Sequence, residues 1–166
     1  DRIVVDCIKA WSQGQIVEIR SPSATRPWQH VLEPLSGYLN LGQALFNGAN
    51  LHGESFNFGP KAEQSHSVEQ LLEDLSKYWH FKDVEDAFTV TDNVPFHEAG
   101  LLKLNCDKAL FYLEWQANMC YRDTIKFTSE WYYDFYNSDK NILDVTMDQI
   151  NEYENMAKEK GLIWTV

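Results

Sequence analysis

Glycine, cysteine and basic residues are all scarce in this 166-residue chain, and each shortage closes off a class of function. The eight glycines are scattered and nowhere form Gly-x-Gly-x-x-Gly or a Walker loop. Neither a dinucleotide nor a nucleoside triphosphate therefore has its usual phosphate cradle. Cys7, Cys106 and Cys120 form no Cys-x-x-Cys, and any disulfide would leave one thiol over, so a reducing cytoplasm is the expected compartment. Lysine and arginine number 14 against 25 acidic residues, giving a formal net charge of -11 and a pI near 4.8. Nucleic acid is not expected as a partner, because phosphate binding needs basic surface. No run of about 18 apolar residues is present, so no membrane span is expected. No basic stretch leads into an apolar one at the start, so no signal peptide is expected either. None of the histidines (His30, His52, His66, His80, His97) pairs at helical metal spacing, and no zinc site is expected. No Gly-x-Ser-x-Gly elbow supports a hydrolase triad.

What is present is enough for one globular domain: 44% hydrophobic and 23% charged residues. Ile3, Val4, Ile8 and Trp11 form an apolar helical face from the outset, and Gly14 is a natural stop. Such a committed start leads to the expectation that the chain begins inside a larger fold, with a cleaved pro-segment as the alternative. Residues 16–20 alternate as a short strand, and 21–27 read as a loop. Val31, Leu35, Tyr38, Leu39, Leu45 and Phe46 predict a helix over 31–46, with Pro34 tolerated only in its first turn. Residues 55–58 read as a strand stopped by Gly59-Pro60. Ser67-Val68-Glu69-Gln70 matches a capping box before a helix marked by Leu71, Leu72 and Leu75. Strands are expected over 85–91 and 101–104, a short helix over 107–113, and a longer one over 121–136. That helix should bury Tyr121, Ile125, Thr128, Tyr132 and Phe135. A second capping-box match at Thr146 to Gln149 predicts a polar helix running to about Lys160, and the apolar Leu162-Ile163-Trp164 should dock on the fold. Helices and short strands alternate throughout, so the class is α/β or α+β.

Three short stretches carry candidate chemistry. Arg26 precedes a helix, where a guanidinium with nearby helix amides can clamp a diphosphate. Asn57 ends the expected 55–58 strand as an amide donor at a carboxyl edge, where α/β sheets bind ligands. His97 precedes the expected 101–104 strand and can donate to phosphate or ribose. Each also has a bland reading: a surface ion pair, a turn asparagine, a solvated histidine. Two Tyr-x-x-x-Lys pairs, Tyr78/Lys82 and Tyr136/Lys140, sit at the ends of expected helices and follow no nucleotide fold. They read as ordinary surface pairs, and no catalytic residue is assigned.

In combination these stretches are more specific than singly. The residues Asp1-Arg2-Ile3-Val4, the long run from Ala24-Thr25-Arg26-Pro27-Trp28-Gln29-His30-Val31 through Leu39, Phe56-Asn57-Phe58-Gly59-Pro60, His97-Glu98-Ala99, and Leu102 to Ala109 resemble the carboxyl-terminal half of the extended short-chain dehydrogenase/reductase family. Within that family they look most like the nucleotide-sugar 4,6-dehydratases that act on CDP-glucose. The likeness covers about residues 1–136 and is strongest around Arg26. The sequence departs from the family where proline usually stands at Val5, His-Tyr at Gly100-Leu101, and glycine at Glu114.

The resemblance implies an α/β fold: the end of a Rossmann-like parallel sheet with a small α/β substrate-binding domain over 1–136, and a helical tail over 137–166. It implies that the NAD-binding loop, the catalytic Tyr-x-x-x-Lys and the acid and base belong to an amino-terminal half not included in this sequence. In such enzymes a hydride leaves sugar C4 for NAD, water is lost across C5 and C6, and the hydride returns to C6. This part would hold the nucleotide sugar: Arg26 on the diphosphate, Arg2 near the nucleotide, Asn57 and His97 as donors to the phosphate or ribose region. NAD is the implied cofactor, and the implied partners are the amino-terminal half and a second subunit of a homo-oligomer. The products of such enzymes feed deoxyhexoses of the lipopolysaccharide type. Two alternatives stay open: another dehydratase or epimerase of the family, and a non-catalytic nucleotide-sugar binding or interaction module.

Overall fold

The structure, a computed structural model, describes residues 2–91 and 101–165. Its elements in chain order are α1 (Ile3–Ser12), β1 (Val17–Ile19), β2 (Thr25–Arg26), α2 (Leu32–Phe46), β3 (His66–Ser67), α3 (Val68–Tyr78), β4 (Phe88–Val90), α4 (Asp107–Leu113), α5 (Tyr121–Asn137) and α6 (Ile142–Glu159). The class is mixed α/β, mostly helical. β1 and β4 form a parallel pair with Val17 opposite Phe88, and β2 and β3 an antiparallel pair with Arg26 opposite His66.

The first core gathers apolar faces from α1, β1, α3, β4 and α5 around Cys7, Ile8, Trp11, Leu72 and Leu75. Trp11 is tied there by its indole N–H, which donates to Ala87 O at 2.8 Å. Burial in this core pushes the Cys7 thiol up to about 12, so it is an inert packing group. Gly14 ends α1 in the left-handed conformation that glycine adopts without penalty. Ser67 caps α3 as its sequence signature predicts, its hydroxyl accepting from Gln70 N at 3.1 Å. The reciprocal half of the box is absent: Gln70 Oε1 lies 3.1 Å from His66 Nδ1 instead.

α2 has the predicted span and an unexpected orientation. Most of the apolar residues that mark it in the sequence point outward: Val31, Leu35, Tyr38, Leu39 and Phe46 are exposed, while Leu45 packs on the core around Trp115. Its buried stripe is Glu33, Ser36, Gly37 and Asn40. Each polar member serves the backbone or side chains of the turn after α4. Glu33 accepts from the amides of Asn118 and Met119 at 3.0 and 2.6 Å, and Asn40 donates to Leu113 O at 3.0 Å. The Ser36 hydroxyl accepts from Trp115 Nε1 and from the Tyr153 hydroxyl, both at 3.0 Å. Gly37 is required by contact, since a Cβ there would stand 2.3 Å from the Phe58 ring. A buried polar face is stable only when every group on it is paired, and this one is.

Several expectations need correction. Residues 55–58 are not a strand; their alternation arises because Phe56 and Phe58 pack into the second core with Trp115 and Leu113. Residues 101–104 contribute only an isolated parallel bridge from Leu101 to Thr25. The loop expected over 21–27 contains β2. The Thr146 to Gln149 box does not start a helix, because α6 begins earlier, capped by Asn141, whose side chain accepts from Leu143 N at 3.1 Å. Thr146 and Gln149 instead link two helices: Thr146 Oγ1 accepts from Trp131 Nε1, and Gln149 Nε2 donates to Phe127 O, each at 2.8 Å. On α5, Phe135 is exposed and Phe127 is buried in place of the expected stripe's outer members. Leu162 is buried, and Trp164 stacks on Tyr153 at 5.7 Å, so the tail docks as expected.

Candidate functional site

The three sequence blocks around Arg26, Asn57 and Leu102 are far apart in the chain, and the fold joins them. Residues 25–29 lie between β3 on one side and Leu101 on the other, through the Thr25–Ser67 pairing and the Thr25–Leu101 bridge. Gln29 Nε2 then donates to Phe58 O at 3.0 Å, tying this stretch to the block around Asn57. Asn57 Nδ2 donates to Asn105 O at 3.1 Å, tying that block to the third. Gly59 makes the last junction tight: a Cβ there would meet Leu104 Cδ1 at 2.9 Å.

Arg26 is half-buried on β2, with Nη1 donating to Thr25 O at 2.9 Å. As cross-strand partners, Arg26 and His66 share a face of the two-stranded ribbon. The turn at Pro27 closes with Trp28 N donating to Arg26 O at 2.9 Å, and Trp28 Nε1 donates to His66 O at the same distance. The His66 ring lies flat on Tyr121, with centroids 3.5 Å apart and an 11° interplanar angle. Tyr121 donates its hydroxyl proton to Asp74 at 3.2 Å. Burial and the Asp74 charge hold that phenol protonated, well above its ordinary range. Arg26 and His66 thus sit side by side on a ribbon backed by the Tyr121 ring.

Asn57 is exposed and oriented by Asn105. Arg2 lies elsewhere, at the start of α1, where its backbone N–H donates to Asp6 Oδ2 at 3.1 Å. Its charge acts on Tyr132 of α5. His97 lies outside the described residues. The fold thus ties the Arg26 block to the Asn57 block, while Arg2 sits at the start of α1.

A cavity of about 540 Å³ opens between α2, α3, α5 and α6. Val4, Trp28, Leu35, Ile125, Tyr132 and Ile150 are among its apolar lining, and among the described residues no charged side chain lines it. Arg26, Asn57 and Arg2 do not reach it, so it does not have the chemistry of a diphosphate site. His30 lines it as a neutral imidazole: burial lowers its pKa to about 4, and Nδ1 accepts from Leu32 N at 3.4 Å. Gln29 Oε1, buried beside it, has no partner among the described residues.

Nothing among these residues fits NAD. β1 runs into Arg20-Ser21-Pro22, without the glycines that let a backbone approach a pyrophosphate. The two Tyr-x-x-x-Lys pairs straddle the ends of α3 and α5, and Lys140 is paired with Asp134 at 2.9 Å. No cluster of metal-ligating side chains occurs among the described residues, and no described helix is long and apolar enough to cross a membrane. The supporting roles of Gln29, Glu33 and His66 escape a reading by motif. The one available signal was Glu33, the only charge in a helix otherwise free of charges.

No protein-family model matches the chain. The departure at Glu114 nevertheless has a structural counterpart: this residue closes α4 with φ 50°, ψ 23°, the left-handed conformation in which glycine is favoured. The chain is 37% identical over 134 residues to CDP-glucose 4,6-dehydratase of Salmonella typhimurium, a match covering 80% of this chain and 36% of that protein. The chain spans little more than a third of the length of the curated relative it matches, and over most of its own length it is similar to a CDP-glucose 4,6-dehydratase.

Proposed function

We propose that this chain is the nucleotide-sugar-holding portion of a CDP-glucose 4,6-dehydratase, a lyase that converts CDP-D-glucose to CDP-4-keto-6-deoxy-D-glucose with loss of water. The observation that carries the reading is the convergence of the blocks around Arg26, Asn57 and Leu102, joined by the Gln29–Phe58 and Asn57–Asn105 bonds, together with the similarity to the Salmonella typhimurium enzyme. NAD, the family's hydride carrier, belongs in this reading to a portion of the enzyme outside these residues.

What these residues do is bind and orient. Arg26 clamps the diphosphate, with His66 beside it on the same ribbon face. Asn57 and His97 donate to the phosphate or ribose region, and Arg2 lies near the nucleotide. Holding the sugar in reach of the reacting groups offsets several kcal/mol of barrier without any chemistry in this portion. Residues 1–136 form the substrate portion with the last Rossmann-like elements, and 137–166 the helical tail. The net charge of -11 serves solubility, and a few cations focus attraction for the dianionic diphosphate.

The test is turnover by the natural polypeptide, purified from its source cells, against CDP-, UDP-, dTDP- and GDP-glucose. The expected result is a 4-keto-6-deoxy product, with the highest kcat/KM for CDP-glucose. Preference for another nucleotide would move the protein to a different branch. Binding of CDP-glucose with no product from any sugar would replace the enzyme reading by a binding module.

A further inference from the structure

His66 holds its ring in place with one nitrogen and leaves the other uncommitted. It stands opposite Arg26 in the antiparallel ribbon, so the two side chains leave the same face as cross-strand neighbours. Trp28 Nε1 donates to His66 O and fixes its backbone from the Arg26 side. The ring is fixed from two further directions: it lies flat on Tyr121, and its Nδ1 is 3.1 Å from Gln70 Oε1. An amide oxygen only accepts, so Nδ1 carries the proton of that bond. Nε2 has no hydrogen-bond partner among the described residues. On the neutral ring it is a bare acceptor, and on the imidazolium it is a donor.

The surroundings are built for the second state once an anion is present. An aromatic face attracts a cation. The Tyr121 hydroxyl donates to Asp74 at 3.2 Å, which concentrates negative charge on the ring beneath His66. On α3, Glu69, Glu73 and Asp74 are acidic, and Lys77 is paired with Asp74 at 2.7 Å. On α5, Arg122 and Asp123 follow Tyr121 and are opposite in charge. The net charge of -11 also favours proton uptake. Only Arg26, across the ribbon, opposes a second positive charge. An anion between the two removes that opposition.

We propose that His66 is a second ligand of the diphosphate, taking a proton from solvent when the nucleotide sugar binds and donating from Nε2 while Arg26 donates from its guanidinium. The inference rests on the functional reading above and adds a regulation to it: the affinity of the site follows the protonation of one histidine. The cation pair matches the two charges of the diphosphate, and each donor is charge-assisted. Release of the nucleotide returns the proton to solvent. Binding therefore tightens as the pH falls through the range in which histidine gains its charge, and weakens above it.

The test is the Kd of the natural polypeptide for CDP-xylose across pH, alongside a CDP-glucose turnover assay. The xylose lacks C6 and cannot lose water across C5 and C6, so binding is read alone. Its diphosphate is esterified at both ends and keeps its charge near neutral pH, so a pH dependence belongs to the protein. The expected result is a wild-type Kd that rises about 10-fold from about pH 6 to about pH 8.5. His66→Gln, which keeps a donor and loses the charge, should bind about 10-fold more weakly at the lower pH and show a flat profile. His66→Phe, which keeps a ring on Tyr121, should also be weak and flat. A flat wild-type profile, or a His66→Gln protein with the wild-type Kd and slope, in a preparation that turns over CDP-glucose, would overturn the proposal and leave the functional reading intact. Binding that depends on pH and on His66, with no product from CDP-glucose, would support the ligand role while the dehydratase reading fails. No binding of CDP-xylose at any pH would overturn the proposal.

Discussion

α3 and α2 lie on the same domain and obey opposite rules. α3 turns Leu71, Leu72 and Leu75 inward and Glu69 and Lys77 to water, and begins at a serine cap. α2 turns Glu33, Ser36 and Asn40 inward and Leu39 and Phe46 outward. α3 is held by removal of apolar surface from water, which needs no particular partner. α2 adds to the packing of Leu32, Leu41, Ala44 and Leu45 a set of directional bonds from Glu33, Ser36 and Asn40 to residues 113–119 and to Tyr153, and Leu39 and Phe46 stay exposed. A helix of the first kind tolerates any well-packed apolar neighbour, whereas a helix of the second kind depends on particular polar partners.

The largest effects should come from breaking each helix at its own anchor. Glu33→Ala strands two buried amides, at about 1–3 kcal/mol each, and we expect a loss of about 2–6 kcal/mol in urea unfolding. Glu33→Gln should recover part of this, since its carbonyl oxygen still accepts one amide. Leu72→Ala in α3 should cost about 2–5 kcal/mol as a cavity, with no recovery by any polar isostere. If Glu33→Ala proved neutral, the polar anchoring of α2 would be wrong.

The next effect is on pH. His30, at the entrance to α2, has a folded pKa lowered to about 4 from 6.5 by burial. The unfolded state therefore binds more protons between those values, and stability falls as pH drops from 6.5 towards 4. His30→Gln should flatten that fall in a series of urea midpoints from pH 7 to 4.5. Burial also raises the pKa of Glu33, which gives the opposite sign: its contribution is full below the unfolded pKa and is lost as pH rises through the folded one. An unchanged slope in His30→Gln would show that the imidazole is solvated.

The smallest effect sharpens the comparison at a helix end. α3 starts at the favoured Ser67, whereas α4 stops at Glu114 in a left-handed conformation that costs a non-glycine residue about 1 kcal/mol. Glu114→Gly should raise stability by about that amount, visible as a shift in the thermal midpoint. A decrease would mean that the glutamate side chain has a partner worth more than the strain.

The sequence is legible where one residue answers to one local rule. Ser67 caps, Gly14 stops, and the leucines of α3 face the core, so α1, α3, α4 and α5 sit close to their expected bounds. It misleads where a long-range bond uses a residue that also fits a local pattern. Thr146 and Gln149 look like a cap and are tertiary links; Phe56 and Phe58 look like a strand and are two core side chains. For α2, periodicity finds the helix and assigns the wrong face as buried, because hydrophobicity does not record that Glu33, Ser36 and Asn40 have polar partners waiting for them. In the candidate site, Arg26 and Asn57 stand out as residue types, but the links that join their blocks, Gln29 to Phe58 and Asn57 to Asn105, depend on chain neighbours that no spacing rule connects.

The most direct test of the central claim is the steady-state kinetics of Arg26→Ala in the natural polypeptide with CDP-glucose. A lost charge-assisted hydrogen bond is worth about 1.5–3 kcal/mol, so KM should rise by about 10- to 150-fold. Arg122→Ala, on the exposed side of α5, should leave it unchanged. An Arg26→Ala enzyme with wild-type KM and kcat would contradict the assignment of this chain as the holder of the diphosphate.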